Sequence, residues 1–363
     1  MNYYTSEFCK TSELSSSTVN KFNAGSKARN DIEKILDQIG AKRIPILIKM
    51  RDPAVPDSYI SKVSRIFSNT KSWLKSLDIL SKGDTVFIQY PWTDSFILYS
   101  KVLNKISKKK AKSVAVVHDL NILRNLNNSG IKLKIKQKYQ EELTLKLFDY
   151  IIVHNEKMKQ VLINRGFDSK KLIVLEIFDY LTDESFTGSK VCKELPIVIA
   201  GNLSPEKSSY IYQLHNIKDV NFNLYGANYT CADKYYSNIS YKGKFRPEQL
   251  PNVMEGSFGL VWDGDTVKTC GGDFGNYLRF NNPHKTSLYI ASGFPVIVWN
   301  ESAMASFVKK NNIGIAVSSL YELHDKITGI SNEQYDKMCE NVRFLSLKLR
   351  DGFYFKKAID SIR

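Results

Sequence analysis

Apolar residues recur along this chain in two alternating rhythms. Ile32, Ile35, Leu36 and Ile39 keep helical spacing and predict a helix over 26–39, after a turn at Asn23-Ala24-Gly25. The run RIPILIKM at 43–50 reads as a strand. Ile60, Val63, Ile66, Phe67, Leu74, Leu77 and Leu80 mark a long amphipathic helix, and Gly83-Asp84 turns the chain into a strand at 85–90. A helix from about 95, a strand at 113–117, a basic helix at 132–148 and a strand at 150–153 follow. A helix ending at Gly166 and a strand at 171–177 complete the series. Strand and helix in regular alternation predict a parallel sheet covered on both faces.

Residues 181–195 break the rhythm and read as a linker. A second series then gives strands at 196–200, 221–225, 239–241, 258–262, 296–299 and 314–317. Short helices fall between them, Cys270 to Gly275 reads as a flexible Gly-rich loop, and 332–362 is helical with a break at Asp351-Gly352. The fold class is therefore α/β, with two Rossmann-like halves, and a length of 363 residues suits two domains. The polar stretch 10–20 is a long loop of the kind that carries function.

One helix start stands out. In Asn281-Asn282-Pro283-His284-Lys285, Asn282 fits an N-cap and Pro283 the first helical position. Gly293 and Pro295 stop the helix. His284 and Lys285 then occupy the first turn, where a cation opposes the helix dipole. A bound anion removes that conflict, because free N–H groups point outward there, and a nucleotide diphosphate is the anion expected. The alternative is a solvated lysine beside a core-facing histidine.

Ligands of parallel sheets sit beyond the carboxyl ends of the strands. Trp92 to Asp94, His118-Asp119, His154-Asn155, Asp179, Gly201-Asn202 and Asp263 all fall there. Their joint placement favours an enzyme with a two-domain cleft. Asp263-Gly264-Asp265 could hold a metal, but both carboxylates equally suit a turn. Gly271-Gly272 lacks the lysine of a phosphate loop and the order of a dinucleotide fingerprint. No nucleophile elbow, zinc site or Cys–His pair is evident.

The net charge is +15 and lies mostly in the first half, where residues 1–187 hold 31 Lys and Arg against 20 Asp and Glu. The densest run spans 101–138. It suits an anionic membrane surface or a phosphorylated substrate, or is simply a solvated face. No nucleic-acid motif accompanies it. Five scattered cysteines form no CxxC pair, no apolar run is long enough to span a bilayer, and no signal peptide pattern opens the chain. A cytoplasmic location is expected.

Several segments resemble a known family. In the second half these are IVIAGNLSPEK, NFNLYG, GSFGLVWDGDTVKTCGG, NYLRFNNPHKTSLYIASGFPVIVW and NVRFLSLKLRDGFYFKKAI. In the first half they are NAGSKARND, VVHDLNILR, IIVHNEKM and IFDYL. Together they resemble the bacterial β-1,6-galactofuranosyltransferases of O-antigen assembly, over nearly the whole chain. More distantly they resemble the glucosyltransferases that extend GlcNAc on serine-rich adhesins.

The resemblance implies a GT-B fold: a first domain over 1–187 for the acceptor, a second over 188–341 for a UDP-sugar, and a helix over 342–363 crossing back. It implies a UDP-galactofuranose donor, no required cofactor or metal, and a glycan acceptor carried on polyprenyl diphosphate. The enzyme would then work at the inner face of the plasma membrane, in contact with anionic lipid. Gly201 and Asn202 would line the cleft, Lys207 would approach the diphosphate, and Asn282, His284 and Lys285 would hold phosphate at the helix start. Tyr225 or Gly226 would border the uracil, and Gly25 and Ser26, on the N-terminal loop, would close over the sugar. For the inverting step Asp119 is the expected base, with His118 next and Asp94 and Asp179 behind, while Lys285 would stabilise leaving UDP. A UDP-glucose-dependent glucosyltransferase and a non-catalytic GT-B subunit are the alternatives. A homo-oligomer is left open.

Overall fold

Two six-stranded parallel sheets carry the molecule. The structure is a computed structural model and describes residues 1–9, 24–51, 58–92, 96–124, 131–182, 190–230 and 236–362. The first sheet comprises β1 (Asn2–Phe8), β2 (Lys42–Leu47), β3 (Thr85–Tyr90), β4 (Lys112–Val117), β5 (Tyr150–Val153) and β6 (Leu172–Val174), in the order β2-β1-β3-β4-β5-β6. The second comprises β7 (Ile197–Asn202), β8 (Phe222–Ala227), β9 (Ile239–Gly243), β10 (Gly259–Val261), β11 (Val296–Trp299) and β12 (Gly314–Val317), in the order β12-β11-β10-β7-β8-β9. The strand order of the second sheet reverses between β7 and β10. That is the switch point at which open α/β sheets bind ligands.

The strand β1 is absent from the sequence reading. It lies in the middle of its sheet, with Tyr4 opposite Arg43 on one side and Phe87 on the other. Its polar residues hide it, and three of them are paired inside the fold. Tyr4 Oη donates to Asp37 at 2.6 Å, Ser6 Oγ donates to Glu33 at 3.0 Å, and Trp73 Nε1 donates to Glu7 at 3.0 Å. Buried polar groups with partners carry little penalty, so a central strand need not be an apolar run. The expected loop at Cys270 to Gly275 is also partly helical, since a short helix covers Gly272–Tyr277.

One core runs through both domains, joining Tyr4, Ile35 and Phe178 to Val198, Leu288, Phe294 and Leu345. The long helix Asn332–Asp351 starts from a Ser331 capping box and ends at Gly352. Ser346 Oγ and Arg350 both donate to the Ala291 carbonyl, which holds this helix on the second domain. At Gly352 the backbone is left-handed (φ 76°), and a Cβ there would lie 2.7 Å from Ile35 of the first domain. The following helix, Phe353–Asp360, then packs on the first domain. Its Phe355 ring meets Phe87, and its first-turn N–H groups of Tyr354 and Phe355 donate to Asp179 at 3.1 and 2.7 Å.

Candidate active site

The helix that carries Lys285 spans His284–Ala291, with Pro283 rather than Asn282 at its N-cap. Asn282 is buried and fully engaged elsewhere. Its Nδ2 donates to the carbonyls of His154 (2.7 Å) and Glu176 (3.0 Å), and its Oδ1 accepts from Asn155 (2.8 Å). Its backbone N–H donates to His154 Nδ1 at 2.9 Å. Asn282 is thus a clasp between the two domains, with no side-chain atom left for a phosphate.

Lys285 reaches over the end of β10. Its Nζ donates to the Trp262 carbonyl at 3.2 Å and to Asp263 Oδ1 at 2.9 Å. Both partners of this ion pair are largely buried, with 19% and 14% of their side chains exposed. The first carboxylate of the Asp263-Gly264-Asp265 triplet is therefore committed to a lysine. Asp265 turns the chain, its carbonyl accepting from Ser209 and Gln213. Among the described residues no cluster of three His, Cys, Asp or Glu could hold a metal ion.

His284 is held by aromatic rings, with Tyr180 at 5.1 Å and Phe178 at 6.1 Å. Burial, and then the charge of Lys27, push its pKa down to about 3. The ring bonds to the Asp179 carbonyl, and Nε2 is buried without a partner, so Nδ1 is the donor. Nε2 is then a bare acceptor. It can take a hydroxyl proton but cannot hold a phosphate oxygen. Of the three residues expected at the phosphate, Lys285 alone has chemistry that fits.

At the switch point, Gly201 (φ 135°) and Asn202 end β7. A Cβ on Gly201 would meet nothing within 4 Å, and Asn202 is exposed, its Oδ1 accepting from Ser204 N and Asn228 Nδ2. Gly226 sits opposite Gly201, where a Cβ would lie 1.8 Å from the Gly201 carbonyl oxygen. Tyr225 is buried against Phe245, with its hydroxyl accepting from Glu255 N. Neither Tyr225 nor Gly226 offers a surface to a uracil ring; together they shape the strand ends that leave Gly201 and Asn202 open. Lys207 follows on the short helix Pro205–Ser208. It is exposed, yet the surrounding protein draws its pKa down, and it lies within electrostatic reach of Asp263, Lys285, Arg124 and Asp119.

The first domain supplies the opposite wall. His118, at the end of β4, places Nε2 2.8 Å from Gln89 Oε1 and stacks on Phe178 at 5.6 Å. With Gln89 Oε1 as acceptor, Nε2 carries the proton. Burial, then the Arg29 charge, lower its pKa well below the ordinary histidine value. His118 is a neutral ring and a weak base. Asp119 shows the opposite shift: burial raises its pKa, against the pull of Arg124, Arg29 and Lys207. Arg124 Nη2 donates to Asp119 Oδ1 at 2.6 Å. A carboxylate with a raised pKa is the better general base.

Three expected positions are displaced. Asp179 is buried and spends its carboxylate on the N–H groups of the C-terminal helix, so it does not face the cleft as a base. Gly25 and Ser26 lie in the first turn of the helix Ala24–Gln38, not on a loop. Asp94 lies outside the described residues. Three further residues join the site: Phe178, which gathers His118, His154 and His284, and the stacked pair Arg124 and Tyr277. Arg124 stood in the quoted segment VVHDLNILR, five residues after Asp119, and that adjacency is the signal that could have found it.

Comparison with known proteins bears on the family and the fold. Residues 197–362 match the family described as "Glucosyltransferase 3-like, C-terminal domain", and residues 14–177 match its N-terminal domain. The β-1,6-galactofuranosyltransferase WbbI of Escherichia coli (strain K12) is 32% identical over 94% of each chain. Glucosyltransferase 3 of Streptococcus gordonii is 24% identical over 92% of each chain. The apo form of the lipopolysaccharide outer core galactosyltransferase WaaB superposes with a TM-score of 0.62 at 12% identity, over 100% of this chain and 99% of its own, which supports the GT-B architecture. The chain belongs to the glucosyltransferase 3-like family of GT-B hexosyltransferases, together with the β-1,6-galactofuranosyltransferase WbbI.

Proposed function

We propose that this enzyme moves galactofuranose from UDP-galactofuranose to a sugar hydroxyl of a glycan carried on polyprenyl diphosphate, with inversion, in O-antigen or capsule synthesis. One observation carries the reading: Lys285, fixed at a helix start, holds its Nζ over the end of β10, beside the β7/β10 switch point. The galactofuranosyl specificity draws on the relative at 32% identity. In this reading Asp119 takes the acceptor proton, the acceptor oxygen bonds to the anomeric carbon, and the bond to UDP breaks with its electrons leaving on the diphosphate. Lys285, Lys207 and the helix dipole stabilise that charge, with no metal needed. His284 Nε2 accepts from a donor sugar hydroxyl. The test is transfer to a glycan acceptor from UDP-galactofuranose made in situ by a mutase; activity with UDP-glucose instead would favour the second reading, which the family description and the S. gordonii relative support. The intact set of His118, Asp119 and Lys285 speaks against a silent subunit.

A cytoplasmic, membrane-peripheral site of action belongs to the same reading. No helix among the described residues is long and apolar enough to cross a membrane. The basic run after residue 101 is partly spent internally: Lys105 bonds Leu74 O and Asp78, and Lys109 bonds the carbonyls of Asp78 and Leu80. The helix Tyr59–Ser76 is a better candidate. It has no acidic residue, carries Lys62, Arg65, Lys71 and Lys75, and exposes Tyr59, Ile60, Val63 and Phe67. Apolar and basic residues together suit the surface of an anionic bilayer. Co-sedimentation with phosphatidylglycerol vesicles, lost in Ile60→Ser/Phe67→Ser, checks this; unchanged binding by that variant would exclude the helix.

A further inference from the structure

Arg124 is held in an arrangement that the sugar-transfer reading does not use. Its guanidinium lies 4.7 Å above the ring of Tyr277, which belongs to the second domain. Tyr277 is fixed in turn, its hydroxyl accepting from Leu120 N of the first domain at 2.9 Å. One face of Arg124 thus leans on the second domain, while Nη2 grips Asp119. Its Nε is buried and has no hydrogen-bond partner. A guanidinium offers five donors in a planar fork that matches phosphate oxygens. Here one donor holds a carboxylate and another points at nothing. Asp263 and Lys285 repeat the pattern on the facing wall, at 2.9 Å. Lys207 lies within electrostatic reach of both pairs.

We propose that Arg124 is a diphosphate ligand contributed by the first domain, and that the donor's diphosphate takes it from Asp119, freeing that carboxylate to act as base. This rests on the nucleotide-sugar reading above. A carboxylate gripped by a guanidinium is a poor proton acceptor, because the cation stabilises its charged form. The exchange makes donor binding the step that arms Asp119. In the armed complex the acceptor proton passes to Asp119, the acceptor oxygen bonds to the anomeric carbon, and the bond to the diphosphate breaks with its electron pair. The order is donor first, acceptor second.

The experiment is calorimetric titration of UDP and of uridine into the wild type, Arg124→Gln, Asp119→Asn and the double variant. The wild type binds UDP more tightly than uridine. Arg124→Gln weakens UDP by about tenfold to a hundredfold, as expected for charge-assisted hydrogen bonds, and leaves uridine unchanged. Asp119→Asn removes the competitor for Arg124 and tightens UDP several-fold. That gain vanishes in the double variant. If the gain persists without Arg124, Asp119 acts by general repulsion and the exchange is refuted. If Arg124→Gln weakens UDP and uridine alike, Arg124 is a strut between domains and not a ligand. If the wild type binds UDP no better than uridine, the nucleotide-sugar reading fails, and the exchange with it.

Discussion

The two walls of the cleft are built on the same parallel-sheet plan and each carries a cation paired with a carboxylate, but their surroundings differ. The second-domain wall presents cations, Lys285 and Lys207, at an open strand end formed by Gly201 and Asn202. The first-domain wall presents uncharged imidazoles around Phe178 and one carboxyl whose pKa is raised, gripped by Arg124. A transfer reaction needs both. Charge grows on the departing phosphate, where cations must already wait, and a proton leaves the acceptor, where a neutral, desolvated environment sharpens a base. The clasp of Asn282, His154 and Asn155 holds the walls in register.

The contrast can be broken from either side. Asp119→Asn removes the base from the first wall and is expected to cut kcat by about 10² to 10⁴-fold, while UDP binding survives. Steady-state rates beside UDP titration test this, and a variant with near-normal kcat would move the base elsewhere. Lys285→Ala strips the main cation from the second wall. The expectation is a loss of about 10² to 10³-fold in kcat/KM, with a lowered thermal midpoint because Asp263 loses its buried partner but the fold retained. Normal turnover and UDP affinity would exclude Lys285 from the phosphate site.

The clasp and the histidines give smaller effects. Asn282→Ala leaves the carbonyls of His154 and Glu176 and the amide of Asn155 short of a partner, at a cost of about 1–3 kcal/mol in urea denaturation. His284 sharpens the claim that the first wall meets uncharged imidazole. Its folded pKa, about 3, lies below the ordinary 6.5. The unfolded chain therefore binds the proton first, and stability from this group is complete above pH 6.5 and lost as pH falls toward 3. Between pH 7 and 5 that amounts to about 2 kcal/mol, so His284→Gln should flatten the pH dependence of denaturation by that much. An unchanged slope would mean the ring is not held neutral by the fold.

The alternation of strands and helices was legible because most strands here are buried on both faces and read as apolar runs. Thr85–Tyr90, Tyr150–Val153 and Gly314–Val317 match their predicted limits. The central strand β1 was not legible, because Ser6 and Glu7 are satisfied by Glu33 and Trp73, partners remote in sequence. The same blindness affected the site. Asn282 looks like an N-cap in sequence because Asn caps helices, but its amide is drawn off by carbonyls 106 and 128 residues away. Asp179 ends its segment like other candidate acids, yet it caps a helix 175 residues later. Lys285 was found because its conflict with the helix dipole is local, and local conflicts are visible in a sequence.

The measurement closest to the central claim is sugar transfer by the purified enzyme to a synthetic polyprenyl-diphosphate glycan, with UDP-galactofuranose supplied by a mutase. A furanosyl product with inverted anomeric configuration, formed by the wild type and lost in Lys285→Ala and Asp119→Asn, is the predicted result. Transfer from UDP-glucose with none from UDP-galactofuranose, or a furanosyl product that both variants form at the wild-type rate, would contradict it.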